Sequence, residues 1–255
     1  MRVSVAGNTD VGQKRDHNED SFLLLPEENL FCVADGMGGH ASGEVASRIA
    51  VEEMAEFFRM TGRDEEATWP FKMDKTYGYD ENRVVTAVKL ANLRIHERAQ
   101  TDIRLKGMGT TLVSTFFTKS NLALVGHVGD SRVYLYRQGA IKQITEDHSL
   151  LNDYIKAKKL TQQEIDNFPH KNVIVRALGM QATVKVDLIR QELEEGDILL
   201  LCCDGLSGMV TDQRMADLVR ASGGDLKRAV QALIDAANEA GGVDNITVVL
   251  AQYHA

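Results

Sequence analysis

Two stretches decide how this chain is read: Leu30-Phe31-Cys32-Val33-Ala34-Asp35-Gly36 and Leu199-Leu200-Leu201-Cys202-Cys203-Asp204-Gly205. Each is a short apolar run stopped by a carboxylate and a glycine, the pattern of a buried strand bounded by a turn signal. A third run, Leu122 to Val128, ends in Gly129-Asp130-Ser131-Arg132, and Asp244 stands just before the run Ile246-Thr247-Val248-Val249-Leu250. In antiparallel sheets the end of one strand lies beside the start of its neighbour, so three carboxylates at strand ends and one at a strand start can meet on one rim. For a single Asp-Gly pair a hairpin turn is the plainer reading. Four such positions together favour a shared site.

Working outward, further apolar runs predict strands at 3–6, 22–25, 110–117, 132–136 and 183–189, besides 30–34, 122–128, 197–203 and 246–251. Helical periodicity appears at 43–60, 81–102, 212–221 and 225–240. Strands clustered in the middle with helix pairs before and after them predict an α+β protein of antiparallel sheets covered by helices, not alternating βαβ units. Only three prolines occur and no Gly/Ser-rich or Pro-rich linker divides the chain, so residues 1–255 are expected to form one domain. Segments 62–80 and 147–176 lack clean periodicity and are candidate functional loops.

At 255 residues with 44% apolar and 26% charged side chains, the chain can bury a full core without staples. Its net charge of −8, without a basic block, argues against a nucleic-acid or anionic-membrane surface. Cys32, Cys202 and Cys203 are odd in number, lack CxxC spacing and lie in apolar runs, so they read as buried thiols in a reducing compartment. With no signal-peptide core and no apolar run near 18 residues, a cytoplasmic location without membrane partners is expected.

Carboxylates crowded on one rim repel one another, and a divalent cation relieves the repulsion. Oxygen donors without a Cys or His cluster favour Mg²⁺ or Mn²⁺ over zinc or copper. Gly36 lets backbone come close to an ion, so its carbonyl is a further candidate ligand. In Arg15-Asp16-His17-Asn18-Glu19-Asp20 a guanidinium lies near carboxylates. That hexamer reads as an exposed salt-bridged turn or as a phosphate clamp, with Glu19 and Asp20 holding water on a metal. The chain has no Gly-Lys dipeptide, no Cys followed by Arg six positions later and no GxSxG elbow, which removes the Walker loop, the cysteine-phosphatase loop and the serine elbow. Metal-activated water is the nucleophile that remains.

In order along the chain, Arg15 to Asp20, Asp35-Gly36-Met37-Gly38-Gly39-His40, Gly109-Thr110-Thr111, Gly129 to Arg132, Asp147-His148-Ser149, Asp204-Gly205 and Asp244-Asn245 resemble the metal-dependent protein phosphatase family, PPM or PP2C, in its bacterial single-domain form. The resemblance implies a four-layer αββα sandwich with a pair of Mn²⁺ or Mg²⁺ ions at one end. Asp35 would bridge both ions, Asp204 and Asp244 would bind the first, and the Gly36 carbonyl the second. Glu19 and Asp20 would act mainly through metal-held waters, Arg15 would hold the phosphate, and Asp130 with Asp204 would bind a weaker third ion.

The implied activity is one-step hydrolysis of phosphoserine and phosphothreonine in proteins, commonly opposing a bacterial Ser/Thr kinase. A catalytically silent phosphoprotein binder and a hydrolase of small phosphate esters are the competing readings. Eukaryotic members carry His directly after the Asp-Gly pair, where this chain has Met37. His40, three residues on, and a metal-held water are the two candidates for the proton donor. Segment 150–176 falls where bacterial members carry a flap. Its Lys156, Lys158, Lys159 and Lys171 would steer a phosphopeptide, whereas Thr161-Gln162-Gln163-Glu164 reads as a capping box, which suits a helical hairpin without function.

Overall fold

In β3 (Leu30–Met37), Leu30, Cys32 and Ala34 join one buried cluster while Phe31 and Val33 join another. Successive strand side chains point to opposite faces, and both faces of this strand are covered, so its apolar run is continuous rather than alternating. β10 (Ile198–Cys202) does the same: Leu200 and Cys202 face one cluster, Leu199 and Leu201 the other. All three cysteines are buried free thiols.

The computed structural model describes residues 2–38, 42–64, 68–158, 160, 164–165, 168 and 173–255. One antiparallel sheet has the order β1-β11-β10-β7-β8, with β1 Arg2–Asp10, β7 Arg132–Arg137, β8 Ala140–Gln143 and β11 Ile246–His254. The other runs β2-β3-β5-β6-β9, with β2 Asp20–Leu25, β5 Leu112–Phe117, β6 Leu122–Val128 and β9 Asp187–Glu192; the two-residue β4 (Gly109–Thr110) pairs with β3. Phe31, Val33, Phe117, Leu199, Leu201 and Val249 pack between the sheets.

Helices α1 (Ser42–Arg63) and α2 (Tyr79–Thr101) cover the β3 sheet through Met54, Phe58, Val88 and Ile95. After the single turn α4 (Asp204–Ser207), helices α5 (Asp212–Ala221) and α6 (Leu226–Glu239) cover the β10 sheet through Met215, Val219, Leu233 and Ile234. The result is the expected α+β architecture, two antiparallel sheets flanked by helices. Side chains cap both α5 and α6: Thr211 accepts from the N–H of Arg214, and Asp225 from that of Arg228. No described helix is long and apolar enough to cross a membrane.

The expected elements differ from the observed ones in places with local causes. β1 extends to Asp10 because every residue pairs with β11, although its second half is polar. The strand expected at 110–117 is interrupted at Thr111, whose N–H and hydroxyl are turned to Asp35. β8 was not anticipated. It follows a two-residue turn in which both Gln138 (φ 51°) and Gly139 (φ 84°) are left-handed, a type I′ hairpin without the usual Asn-Gly signal. The strand expected at 183–189 begins at Asp187. In segment 147–176, which lacks clean periodicity, α3 spans Leu150–Lys158.

Candidate metal centre

Both sheets present the same end to one rim. Asp20 opens β2 directly opposite Asp35 near the end of β3, and Cys202 closes β10 opposite Val248 near the start of β11. Ligand atoms of Asp20, Asp35 and Cys203 lie within 4.8 Å of one another. Asp35 lies close enough to Asp204 for each carboxylate to shift the other's titration. Asp130, Asp204 and Asp244 line a single cleft of about 320 Å³ with Asp147 and Arg132. The four strand-end carboxylates thus converge as their positions in the chain suggest. A larger groove of about 890 Å³, between β2 and α1, contains none of them.

Backbone contacts hold these carboxylates in place. The N–H of Asp35 donates to the hydroxyl of Thr111 (3.1 Å), and its carbonyl accepts from the Thr111 N–H (2.9 Å) and the Thr110 hydroxyl (2.8 Å). Asn245 ties down the N-terminal loop: its Oδ1 accepts from the Glu19 N–H (2.8 Å), and its Nδ2 donates to the carbonyls of Val11 and His17 (3.0 Å each). The Thr247 hydroxyl donates to Asp20 Oδ2 at 2.5 Å. Cys203 accepts from the Thr247 N–H (3.1 Å) and donates to the Asn245 carbonyl (3.3 Å), so its thiol is engaged in the backbone. Thr111, Asn245 and Thr247 had no role assigned from sequence. Thr111 and Asn245 stand inside the Gly-Thr-Thr and Asp-Asn motifs, and that adjacency was the available signal.

The electrostatics are those of a site short of positive charge. Burial, then the charges of Asp20, Asp204, Asp130 and Asp244, hold the Asp35 carboxyl well above the usual range. Burial pushes Asp20 up to about 7 against the opposing hydrogen bond from Thr247. Asp204 is raised by burial and by Asp244. Asp130 is pushed up to about 7 by burial, then Asp204 and Asp147, and its buried Oδ1 has no partner among the described residues. The neighbouring Arg132 offsets this only in part, because it is committed to Asp147 (2.9 and 2.7 Å). Carboxylates whose burial and mutual charge oppose joint ionisation, with an orphaned buried carboxylate oxygen and the adjacent thiol tied to backbone, fit hard divalent cations.

The remaining candidates occupy distinct places. Half-exposed Arg15 donates to Asp244 Oδ2 at 2.7 Å instead of pairing with Glu19 or Asp20. Glu19 turns its Oε1 to the N–H of Gly43 at the start of α1 (3.2 Å). Gly36 lies in β3 opposite Thr110, where a Cβ would fall 2.3 Å from the Gly43 carbonyl and 2.4 Å from that of Glu19. His40 lies outside the described residues, as do Lys159, Lys171, Thr161, Gln162, Gln163 and the side chain of Lys158. Lys156 pairs with Glu146 at 2.9 Å.

Comparison with known proteins shows the family and the fold. The family model for protein phosphatase 2C matches residues 11–250. Serine/threonine phosphatase stp of Listeria monocytogenes is 36% identical over 96% of this chain and 93% of its own length, and protein phosphatase PhpP of Streptococcus pneumoniae is 36% identical over 98% and 96%. The serine/threonine phosphatase PstP/Ppp of Mycobacterium tuberculosis superposes with a TM-score of 0.86 at 33% identity, covering 100% of both chains. A PstP catalytic domain in complex with two manganese ions superposes with a TM-score of 0.82 at 32% identity, covering 99% of each. The chain belongs to the protein phosphatase 2C family, the metal-dependent serine/threonine protein phosphatases that its motifs resemble.

Proposed function

We propose that the rim of strand-end carboxylates is the centre at which this chain hydrolyses phosphoserine and phosphothreonine in proteins. The observation that carries this reading is the convergence of Asp20, Asp35, Asp130, Asp204 and Asp244, with Arg15 the cation held against them. Asp35 would bridge two ions, Asp204 and Asp244 would hold the first and the Gly36 carbonyl the second. Glu19 and Asp20 would order solvent around them, and Asp130 with Asp204 would hold a third. Bound there, Mn²⁺ or Mg²⁺ supplies charge stabilisation to the phosphoryl group and a water acidic enough to attack it near neutral pH.

In this reading Arg15 changes partner. Its guanidinium rests on Asp244, and released from that carboxylate it would offer a fork of donors that matches two phosphate oxygens. The leaving alkoxide needs a proton, and His40 is our candidate donor, since imidazole titrates near working pH. His40→Ala should then cut phosphopeptide turnover far more than aryl-phosphate turnover, and equal small losses on both would reject the role. Segment 150–176 would act as the flap that selects substrates, within one domain spanning 1–255. A cytoplasmic role opposing a Ser/Thr kinase completes the proposal.

The test is a panel of phosphopeptides and nucleotides assayed after chelation, with Mn²⁺ or Mg²⁺ added back. Activity restored by either ion and selective for phosphopeptides is expected. Hydrolysis that survives chelation, or that prefers nucleotides, overturns the assignment.

A further inference from the structure

His148 sits at the root of segment 150–176 and grips the turn that carries Asp130. Its main-chain N–H donates to the Gly129 carbonyl (2.8 Å), and its ring Nδ1 accepts from the Gly129 N–H (3.0 Å). Gly129 is left-handed (φ 112°), and a Cβ there would fall 2.6 Å from Thr111 Cβ, so the turn is wedged between His148 and the residue that holds Asp35. The hydroxyls of Ser131 and Thr111 meet at 2.7 Å and close the wedge on the far side of Asp130.

The ring itself is fixed from three directions. With Nδ1 accepting a backbone N–H, the neutral ring carries its proton on Nε2, which donates to Asp187 Oδ2 (3.1 Å). Arg176 donates to Asp187 Oδ1 (2.7 Å) and crowds the same Nε2 at 2.8 Å, so guanidinium and ring share one carboxylate. The ring of His127 stacks on His148 with centroids 4.4 Å apart and planes at 22°. His127 is 1% exposed, and neither of its nitrogens has a partner among the described residues, which leaves it a flat wall behind His148. Asp187 stands directly across from His127 in the β6–β9 register.

We infer that His148 is a positioning residue for Asp130: held by Asp187 and Arg176 and backed by His127, it fixes the Gly129–Asp130 turn and with it the place of the Asp130 carboxylate at the wall of the cleft. The inference rests on the reading of Asp130 as a metal ligand. Residues standing behind a ligand change metal affinity by about 10- to 100-fold when removed.

The experiment is a Mn²⁺ titration of the full chain, followed by the electron paramagnetic resonance of free Mn²⁺, on wild type, Asp130→Asn, His148→Leu, the double variant and His148→Asn. Asp130→Asn should weaken or remove the weakest site. His148→Leu should weaken that same site by about tenfold or more, and the double variant should bind no more weakly than Asp130→Asn alone. His148→Asn, whose Oδ1 can still accept from Gly129, should recover most of the affinity. A lowered melting temperature with an unchanged isotherm, or additive losses in the double variant, overturns the inference. An isotherm unchanged in Asp130→Asn removes Asp130 as a ligand, and the inference falls with it. Should His148→Leu fail to fold, Asp187→Ala carries the same prediction, because the ring then loses the carboxylate that orients it.

Discussion

At the end of β3, Asp35-Gly36 stays in the sheet: Asp35 faces Asp20 on one neighbour and Gly36 faces Thr110 on the other. At the end of β10, Asp204-Gly205 leaves the sheet and opens the single turn α4. Neither glycine is left-handed, so neither pair is the hairpin turn that Asp-Gly suggests by itself. What the two ends share is a backbone carbonyl pressed where a side chain would stand. A Cβ on Gly36 would lie 2.3 Å from the Gly43 oxygen, and one on Gly205 would lie 1.9 Å from the Asn245 oxygen. The same dipeptide therefore serves two backbone paths, and in both the missing side chain lets another strand or helix close over a carboxylate.

The largest effect expected from this comparison is on the carboxylates. Asp35 is paired across the sheet with Asp20 and feels the charge of Asp204, so it joins the two ends, whereas Asp204 belongs to one. Asp35→Asn should abolish turnover at fixed metal concentration while circular dichroism stays that of the wild type. Asp204→Asn should leave the greater residue of activity at high metal. Wild-type turnover in Asp35→Asn would show that the centre has been misplaced.

The glycines come next. Gly205→Ala must move either Asp204 or the Asp244–Asn245 backbone, since the obstructing atom is main chain. A cost of about 1–3 kcal/mol in stability is the range for such overpacking, with metal affinity falling alongside. Gly36→Ala meets two main-chain oxygens, and its displacement falls on Glu19 and the start of α1. If denaturant melts show Gly205→Ala as stable as wild type with unchanged Mn²⁺ affinity, close approach is not what selects glycine there.

The same two ends separate what is legible in the sequence from what is not. The apolar runs marked β3 and β10 because both their faces are buried, and the carboxylates marked the rim because strand ends meet there. The partners that hold the carboxylates were not legible. Thr111 acts through a hydroxyl and a main-chain N–H, and Asn245 through contacts to residues more than 200 positions away, and neither leaves a periodic trace. Arg15 shows the same limit: its nearness in sequence to Glu19 and Asp20 suggested them as partners, whereas the fold delivers Asp244.

Arg15 gives a smaller effect than either end. Its side chain is half exposed, so removing it leaves the fold intact. A lost charge-assisted hydrogen bond to phosphate is worth about 1.5–3 kcal/mol. Arg15→Ala should raise KM for phosphopeptide accordingly and change kcat little. A fall in kcat at constant KM would move Arg15 from binding to the chemical step.

The smallest effect is on stability against pH in the metal-free protein. Asp20 and Asp130 titrate near 7, and Asp35 and Asp204 are also raised, whereas in the unfolded chain each titrates near the ordinary value of about 3.9. Between those limits the folded state holds more protons than the unfolded state. Stability therefore falls as pH rises through about 7, at about 1.4 kcal/mol per pH unit for each extra proton held. The contribution is present in full only below the unfolded value, where other carboxylates begin to destabilise the fold. Chelated protein should melt at higher temperature near pH 6 than near pH 8. Asp20→Asn should flatten that slope, because it removes one of the groups that bind the extra protons. Saturating Mn²⁺ should reverse it, since the ligands must then be ionised. A metal-free melting temperature that rises from pH 6 to pH 8 would mean that burial and mutual charge do not hold these carboxyls protonated, and the case for a cation between them would lose its electrostatic basis.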